Sequence, residues 1–512
     1  MTNILPLVVA LPLGAGFLSP LLGKSRRGES MAALLALGIG FANLAISVAL
    51  FTTTEPLVYW IGFWNAPVGI SMAVDGLTRL LLLTTSLVAL AALVFSIAYM
   101  RRFTATGLYY SLLMLMVAGM NGVIVTGDLF NLYVFLEVAS ISSYGLVAFG
   151  TEHEELEASF KYLILGSIGS LFILLGIGIL YNLTGQLNMA LVADSLAGRG
   201  ANRAMTLAAA FFLMGFGLKA ALVPFHAWLP DAHPSAPAPI SAMLSGVLIK
   251  ASGVYALARI VFNVMGPSAA HADVLTALGA LSMVVGVFLA VGQWDFKRLL
   301  GYHSISQMGY IVLAIGVAAQ VMSPRGSGDE ALAGLLLFGG LFHLFNHAAF
   351  KSLLFLSSGS LEQQAGTRML KELGGMRRRM PVTAFCCRIG ALSIAGVPPF
   401  NGFFSKLVIV VALALAGKWL LAALAVFVAM MTLVSFLKVQ RTVLEGETPE
   451  RLAGVREAPY PMQSGMLILA TVCLLGGPLV VWLRGWLLDP AAASLLTRAA
   501  GYAALFSPRG GP

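Results

Sequence analysis

The sequence predicts an all-α polytopic membrane protein, and three observations indicate this class. Hydrophobic residues make up 59% of the 512 residues and charged residues only 10%, whereas about a quarter of the residues in a soluble domain are charged. The apolar residues form long runs rather than an alternating pattern, which favours helices over a β-barrel. Helices also satisfy their own backbone polar groups inside a bilayer.

Windows of about 20 apolar residues predict fourteen membrane spans. Numbered in chain order, spans 1 to 14 cover 3–23, 31–51, 76–99, 108–126, 129–149, 158–182, 205–223, 238–262, 270–293, 298–320, 331–358, 381–415, 417–438 and 462–486. Span 1 lacks a basic start and a small-residue cleavage site, so we interpret it as a membrane helix and not as a signal peptide. The segment 53–74 is too polar and aromatic to cross a membrane and is predicted to be an external loop.

Basic residues lie mainly in the loops that follow odd-numbered spans. Those loops contain Lys24, Arg26, Arg27, Arg101, Arg102, Lys297, Arg298, Arg368, Lys371, Arg377, Arg378, Arg379, Arg441, Arg451 and Arg456. The loops after even-numbered spans contain only Arg199, Arg203, Arg325 and Lys418. Positively charged loops stay in the cytoplasm, so both termini are predicted on the outer side. This asymmetry also explains the net charge of +9 without nucleic-acid binding.

Prolines predict that spans 7 and 12 are broken helices. Span 7 runs into Val223-Pro224-Phe225, and span 12 contains Val397-Pro398-Pro399-Phe400-Asn401-Gly402. Proline removes a backbone donor and clashes with the preceding turn. The two breaks are five spans apart, which predicts that spans 4–8 and 9–13 are inverted five-helix repeats. The predicted organisation is therefore the N-terminal spans (1–105), the first repeat (106–262), the second repeat (263–440), and span 14 with a C-terminal tail (441–512).

Seven ionisable residues inside apolar spans are the candidate proton-path residues. They are Glu137, Lys219, Lys250, His343, His347, Lys351 and Lys406. A charged side chain at bilayer depth costs about 2.5–3.5 kcal/mol on insertion scales, so such residues are seldom present without a function. A row of them through a lipid-soluble protein is what a path for protons or cations requires.

Each candidate also has a structural interpretation. Glu137 and Lys219 form either a static ion pair that joins two helices or a pair whose opening gates proton release. Lys250 lies at the centre of span 8, flanked by small residues, and either bonds to free carbonyls of a broken helix or carries protons. Lys406 follows the second break and is the candidate end of the relay, at an exit to the outside.

His343, His347 and Lys351 are spaced i, i+4, i+8, which places them on one face of span 11. Histidine suits a proton relay because it titrates near neutral pH. Metal binding is disfavoured, because neither a carboxylate nor an H-E-x-x-H motif accompanies the histidines. Lys351 either continues this ladder or approaches the membrane surface.

Two further features leave alternatives open. His226, Asp231 and His233 lie in a proline-rich stretch between spans 7 and 8, which is either an inlet vestibule or a rigid connector. Arg388, just before the second break, either pairs or extends to the surface.

No cofactor or redox centre is expected in the chain. Cys386, Cys387 and Cys473 form no C-x-x-C pair, which disfavours an iron–sulfur or structural zinc site. Neither G-x-G-x-x-G after a strand nor a P-loop pattern occurs. We therefore expect a transporter subunit, with any electron transfer carried out by other subunits.

Four stretches together resemble the proton-conducting antiporter-like subunits of respiratory complex I, Mrp-type sodium/proton antiporters and membrane-bound hydrogenases. They are GLKAALVPFHAWLPDAHPSAPAPISAMLSGVLIKASGVYALAR, DFKRLLGYHSISQMGYI, HLFNHAAFKSLLFL and IAGVPPFNGFFSKL. The resemblance covers spans 3 to 13. It implies a fourteen-helix fold in a bacterial or archaeal-type cell membrane, other membrane subunits as partners, and proton-path roles for Glu137, Lys219, Lys250, His343, His347 and Lys406.

The lysine at position 406 is similar to that of the D-type subunit of Mrp antiporters, and the stretch GDLFNLYVFLE resembles Mrp D-type or hydrogenase subunits more than complex I subunits. The resemblance thus implies a proton-translocating subunit of a Na⁺/H⁺ antiporter. The alternative is a proton-pumping membrane subunit of a complex I-type quinone oxidoreductase or a hydrogenase. A transporter of an organic solute is a third class, and no solute-pocket pattern favours it.

Overall fold

The computed structural model describes residues 2–23, 25–53, 55–199 and 202–497. Lys24, which contributes to the predicted topology, and the tail from residue 498 lie outside the described residues.

The N-terminal part contains three long helices and a β-hairpin. These elements are α1 (Leu7–Leu22), α2 (Arg26–Ala49), β1 (Leu57–Trp60), β2 (Ser71–Val74) and α3 (Gly76–Tyr99). The strands pair antiparallel, with Leu57 opposite Val74, so the segment that the sequence assigns to an external loop contains a hairpin. Asp75 ends the hairpin and caps α3, because its carboxylate accepts the Thr78 backbone N–H at 2.9 Å.

The predicted first repeat consists of long helices and one broken span. Its elements are α4 (Thr106–Val125), α5 (Leu129–Val147), α6 (His153–Thr184), α7 (Met189–Leu196), α8 (Arg203–Lys219), α9 (Leu229–Ser235), α10 (Ala238–Met243) and α11 (Ala256–Arg259). Three π-helical segments, Leu244–Leu248, Lys250–Tyr255 and Ile260–Val264, join α10 and α11 into one continuous helix, Ala238–Val264, named the Lys250 helix below.

The predicted second repeat is followed by a bent C-terminal pair. The elements are α12 (Ala269–Val291), α13 (Phe296–Met322), α14 (Glu330–Ala365), α15 (Met376–Arg379), α16 (Pro381–Ala395), α17 (Asn401–Leu415), α18 (Trp419–Val439), α19 (Tyr460–Leu475), α20 (Val480–Leu483) and α21 (Asp489–Leu496). The Lys250 helix and α14 pack together in the interior, where all residues of the first and most residues of the second are buried. Lipid-facing helices such as α2 and α18 expose apolar side chains along their length.

Among the described residues, eleven helices are long and apolar enough to cross a membrane, or twelve if a bent pair counts as one span. The remaining predicted spans are shortened by breaks: α8 has 17 residues, and α16 and α17 have 15 each. Span 14 is also bent, by 87°, at Gly476-Gly477-Pro478, a break that our sequence analysis missed. The chain is a polytopic helical membrane protein, and the count of fourteen stays a prediction.

Helices end at both predicted breaks. α8 stops at Lys219, and the Leu222 N–H bonds to the Gly217 carbonyl at 2.9 Å. α16 stops at Ala395, and the Val397 N–H bonds to the Leu392 carbonyl at 3.0 Å. The same turn therefore closes both helices just before their prolines.

Candidate functional site: a buried polar path

Glu137 and Lys219 come together between α5 and α8. The Lys219 ammonium lies 3.9 Å from Glu137 Oε1 and donates a hydrogen bond to Ser140 Oγ at 2.8 Å. Glu137 Oε1 also accepts a hydrogen bond from Ser170 Oγ on α6. The lysine side chain is 5% exposed and that of the glutamate 26%. The ammonium is thus shared between a hydroxyl and a carboxylate, a looser arrangement than a closed ion pair.

Lys250 is fully buried and bonds to its own helix. Its Nζ donates to the Ser245 carbonyl at 2.6 Å, in a stretch where π-helical turns shift the backbone bonding from i+4 to i+5. The Ser245 side chain shares a hydrogen bond of 2.7 Å with Ser304 Oγ on α13. This bond to a carbonyl agrees with the structural interpretation of Lys250. A role in a proton relay would require the Lys250 ammonium to leave the Ser245 carbonyl.

The three candidate residues on α14 are fully buried, and they differ in their partners. His343 Nδ1 shares a hydrogen bond of 3.0 Å with Ser405 Oγ on α17. Both ring nitrogens of His347 and the Lys351 ammonium have no hydrogen-bond partner among the described residues. Lys351 therefore lies in the protein interior. Because a buried polar group without a partner is costly, these atoms mark positions that suit water.

Lys406 reaches back across the second break. It projects from the first turns of α17, and its Nζ donates to the Ile394 carbonyl near the end of α16 at 2.6 Å. The ammonium also lies 5.1 Å from the centre of the Tyr310 ring, and the residue is 5% exposed. A break in the helix leaves carbonyls free, and here one of them binds the cation.

Two buried polar residues on α13 were not singled out in the sequence. His303 and Gln307 are both 0% exposed, and neither amide atom of Gln307 has a hydrogen-bond partner in the described part of the chain. Each lies within a predicted span, so the rule that identified His343 would also have found His303. We missed it because it stands alone and lacks the i, i+4 companion of His343.

The proline-rich stretch before the Lys250 helix combines a charged rim with a buried histidine. Asp231 lies 3.2 Å from Lys161 and 3.4 Å from Arg298, beside a cavity of about 460 Å³. Inside this rim, His233 is 0% exposed, with both ring nitrogens unpartnered among the described residues. These features are compatible with an inlet as well as with a rigid connector.

The remaining sequence candidates have simple surroundings. Arg388 forms an ion pair with Glu445 Oε1 at 2.6 Å. Of the two alternatives for this arginine, the structure therefore shows pairing. The cysteines Cys386, Cys387 and Cys473 are buried and free. Within the described ranges, no group of three or more His, Cys, Asp or Glu side chains is arranged to hold a metal ion.

Comparison with known proteins identifies the class. The family model described as "NADH:quinone oxidoreductase/Mrp antiporter, TM" matches residues 126–432, the region that carries the buried path. The chain belongs to this family of antiporter-like membrane subunits, whose members come from bacterial and archaeal membranes.

Two relatives and one solved structure show how close the similarity is. The N-type subunit of the NADH-quinone oxidoreductase of Desulforudis audaxviator is 37% identical over 450 residues, which is 86% of each chain. The D-type subunit of the Na(+)/H(+) antiporter of Alkalihalophilus pseudofirmus is 33% identical over 443 residues, again 86% of each chain. A chain of the Mrp complex from Dietzia sp. superposes with a TM-score of 0.89 at 28% identity, covering 99% of this chain and 100% of that one.

Proposed function

We propose that this chain is the proton-translocating D-type subunit of a multisubunit Na⁺/H⁺ antiporter. Protons would move from the Glu137–Lys219 pair through Lys250 and the α14 residues His343, His347 and Lys351 to Lys406. The observation that carries this proposal is that all seven residues lie in one helical core, six of them almost completely buried and only Glu137 partly exposed. A membrane protein does not keep so many ionisable groups in its interior for packing alone.

The contacts of these residues support a relay that can open and close. Lys219 already divides its hydrogen bonding between Ser140 and Glu137, so a small movement strengthens one contact at the expense of the other. When Lys219 moves toward Glu137, the carboxylate stabilises the ammonium. When it moves away, the buried ammonium loses that stabilisation and releases its proton more readily.

Water is the carrier that the middle of the path requires. His347 and Lys351 have nitrogen atoms in the interior that are unpartnered among the described residues, and ordered waters satisfy such groups in proteins. A water chain between them would conduct protons, and the surrounding phenylalanine and leucine side chains would limit leakage in its absence. His343, bonded to Ser405 on α17, would hand the proton toward Lys406.

The assembly and its orientation are part of the same proposal. The Mrp complex to which the chain is similar is a multisubunit assembly, so we expect other membrane subunits to flank this chain. The basic residues Arg377–Arg379 and Lys297–Arg298 would lie on the cytoplasmic side, with both termini on the outer side.

The alternative is the pump subunit of a redox enzyme. The specific observation in its favour is the 37% identity to the N-type subunit of an NADH-quinone oxidoreductase, higher than that to the antiporter protein. In that case, proton movement would depend on electron flow through other subunits.

Purification of the native complex separates the two proposals. The tagged chain would be isolated gently from its own membrane, and its optical spectrum recorded together with the masses of all subunits. A colourless complex of small hydrophobic subunits is expected for the antiporter. Flavin or iron–sulfur absorbance would reject the antiporter and establish the redox enzyme.

A further inference from the structure

His303 of α13 is a buried histidine that the proposed path does not use. Its Nε2 shares a hydrogen bond of 2.8 Å with Ser435 Oγ on α18, and its ring lies 4.9 Å from that of Phe436. The residue is 0% exposed, and its Nδ1 has no partner in the part of the chain that the structure describes. One nitrogen is therefore bonded to α18, while the other has no hydrogen-bond partner among the described residues.

On the interior side, His303 adjoins the environment of Lys250. Its chain neighbour Ser304 shares a hydrogen bond of 2.7 Å with Ser245 Oγ, and the Ser245 carbonyl accepts Lys250 Nζ at 2.6 Å. Two consecutive residues of α13 thus connect the Lys250 helix on one side with α18 on the other.

On the other side, α18 leads from His303 toward the protein surface. Lys438 follows Ser435 by about one helical turn, and its Nζ donates to the Val291 carbonyl at 2.7 Å and to the Gln293 carbonyl at 2.6 Å. Lys438 is partly exposed, and its ammonium lies 4.8 Å from the centre of the Trp294 ring. This surface borders the basic loop after α12, on the side that the charge pattern assigns to the cytoplasm.

The charges that act on His303 are the ammonium groups of Lys351 on α14, Lys406 on α17 and Lys438 on α18. All three have the same sign as an imidazolium. Like charges disfavour a protonated imidazole at this position, so in a relay His303 would pass a proton on and not hold it as a fixed charge.

We propose that His303 is a further proton-carrying residue and that, with Ser435, it forms a second branch of the path from the Lys250 region to the surface beside Lys438. The inference rests on the proposed function. A proton would arrive at Nδ1 as the Nε2 proton passes to Ser435 Oγ, and the hydroxyl would release its own proton to the next water. The number of protons on the histidine and the serine is the same before and after the step.

The test compares substitutions that separate proton transfer from hydrogen bonding. In the assembled complex, His303→Gln keeps a side chain that can bond to Ser435 but cannot be protonated, whereas His303→Ala removes both functions. Proton movement would be measured as pH change in everted vesicles after a Na⁺ pulse. His271→Gln, in the first turn of α12, is the matched control, because it removes a histidine that is not part of the proposed branch.

We expect His303→Gln and His303→Ala to lower the rate to a similar extent, by roughly tenfold. This is less than the 10²–10⁴-fold that one proton-transfer group typically contributes, because the main branch remains. If His303→Gln has the wild-type rate and His303→Ala is slow, the histidine contributes only a structural hydrogen bond and the proposal is wrong. The proposal is also wrong if both variants have the wild-type rate. If the His303→Gln complex fails to assemble, Ser435→Ala tests the proposal instead. Slow proton movement in Ser435→Ala that Ser435→Thr restores would support the branch. A wild-type rate in Ser435→Ala would reject it.

Failure of this inference differs from failure of the proposed function. If wild-type vesicles move protons and Lys219→Ala vesicles do not, the main path is supported whatever rates the His303 variants show. If wild-type vesicles show no Na⁺-driven pH change at all, the proposed antiport itself is wrong.

Discussion

At the residue scale, the environment of Lys219 is the clearest case in which local contacts imply a mechanism. The ammonium has a hydroxyl at hydrogen-bonding distance and a carboxylate slightly farther away. The sequence predicted the Glu137–Lys219 contact, because two opposite charges in neighbouring apolar helices each need a partner. It did not predict Ser140 and Ser170, since serines are common in membrane helices and their hydroxyls usually bond to a carbonyl of the preceding turn.

Lys219→Ala should abolish proton movement while leaving the complex assembled. The alanine removes the group that exchanges a proton with Glu137 at this point, and it leaves a small polar cavity in place of a buried ammonium. The measurement is Na⁺-driven pH change in vesicles with equal subunit content by immunoblot. Lys418→Ala, in an exposed loop position, is the control and should behave as wild type. Normal transport by the Lys219 variant would reject the relay.

Ser140→Ala should slow transport without abolishing it. Lys219 loses a hydrogen bond, and a hydrogen bond to a charged group contributes about 1.5–3 kcal/mol. The ammonium then moves fully onto Glu137, so opening the pair costs more and the rate should fall roughly tenfold. Initial rates in the same vesicles measure this, and a rate equal to or above that of the wild type would contradict a gating role for the serine.

At the element scale, the two halves of the chain show matching backbone features, which we propose reflect inverted repeats of 106–262 and 263–440. Asp128 caps α5 and pairs with Asn188 beyond α6, while Asp295 caps α13 and pairs with Met369 beyond α14. The proline breaks predicted this relationship from sequence. The bridges were not predictable, since an isolated backbone pair leaves no hydrophobic pattern.

The second break also offers a sharp test. Gly396 has φ of 78°, and a Cβ there would lie 3.2 Å from Lys406 Cδ. Gly417 has φ of 70° with open space around it. Alanine in the left-handed region costs about 1–2 kcal/mol at either position, so both substitutions should lower the thermal stability similarly. Only Gly396→Ala should also slow transport, because it displaces Lys406. Equal transport rates in the two variants would indicate that Lys406 is not part of the proton path.

A buried ion pair couples the β-hairpin end to the Lys250 helix. Arg259 NH2 lies 2.5 Å from Asp75 Oδ1. Burial raises the pKa of the Asp75 carboxyl, but the charge and hydrogen bond of Arg259 outweigh burial and hold it below its ordinary value. The pair thus stabilises the fold fully above the unfolded-state pKa of about 3.9, and this contribution is lost as the pH falls through the folded-state pKa.

Asp75→Asn should therefore destabilise the protein near pH 7 by about 3–5 kcal/mol, because the buried Arg259 guanidinium loses the negative charge of Asp75. The acid-induced loss of stability should also become smaller in the variant. Thermal unfolding in detergent at pH 7 and at pH 3.5 measures both effects. Asp489→Asn, which breaks the exposed pair with Arg484, is the control and should change stability by at most about 1 kcal/mol.

At the scale of the whole molecule, the predicted orientation is testable by labelling. Arg378→Cys should react with a membrane-impermeant maleimide in everted vesicles and not in intact cells, because its loop is predicted to be cytoplasmic. The native cysteines are buried and should react slowly. A cysteine placed at the N-terminus should show the opposite pattern, and labelling of both sites from the same side would contradict the topology.

Composition and hydropathy were sufficient to predict the class and most of the helices. They were insufficient where the helix geometry changes: the bend after α19 and the π-helical turns around Lys250 depend on backbone preferences and tertiary packing that an apolar run does not reveal. The interior position of the seven candidates was predictable, since an ionisable side chain is conspicuous in an apolar span, whereas their hydroxyl and carbonyl partners were not; their role in a proton path stays a prediction.

The bond from Lys406 to Ile394 has a consequence for how the two halves diverged. When the matching turns that close α8 and α16 are superimposed, Ile394 takes the place of Lys219, because Leu392 and Val397 bond as Gly217 and Leu222 do. In the second half a lysine from beyond the break brings its ammonium to that same backbone position. If the halves descend from one duplicated ancestor, each copy has a lysine beside this turn but on opposite sides of the break, and an alignment of the copies by amino-acid identity would overlook that correspondence.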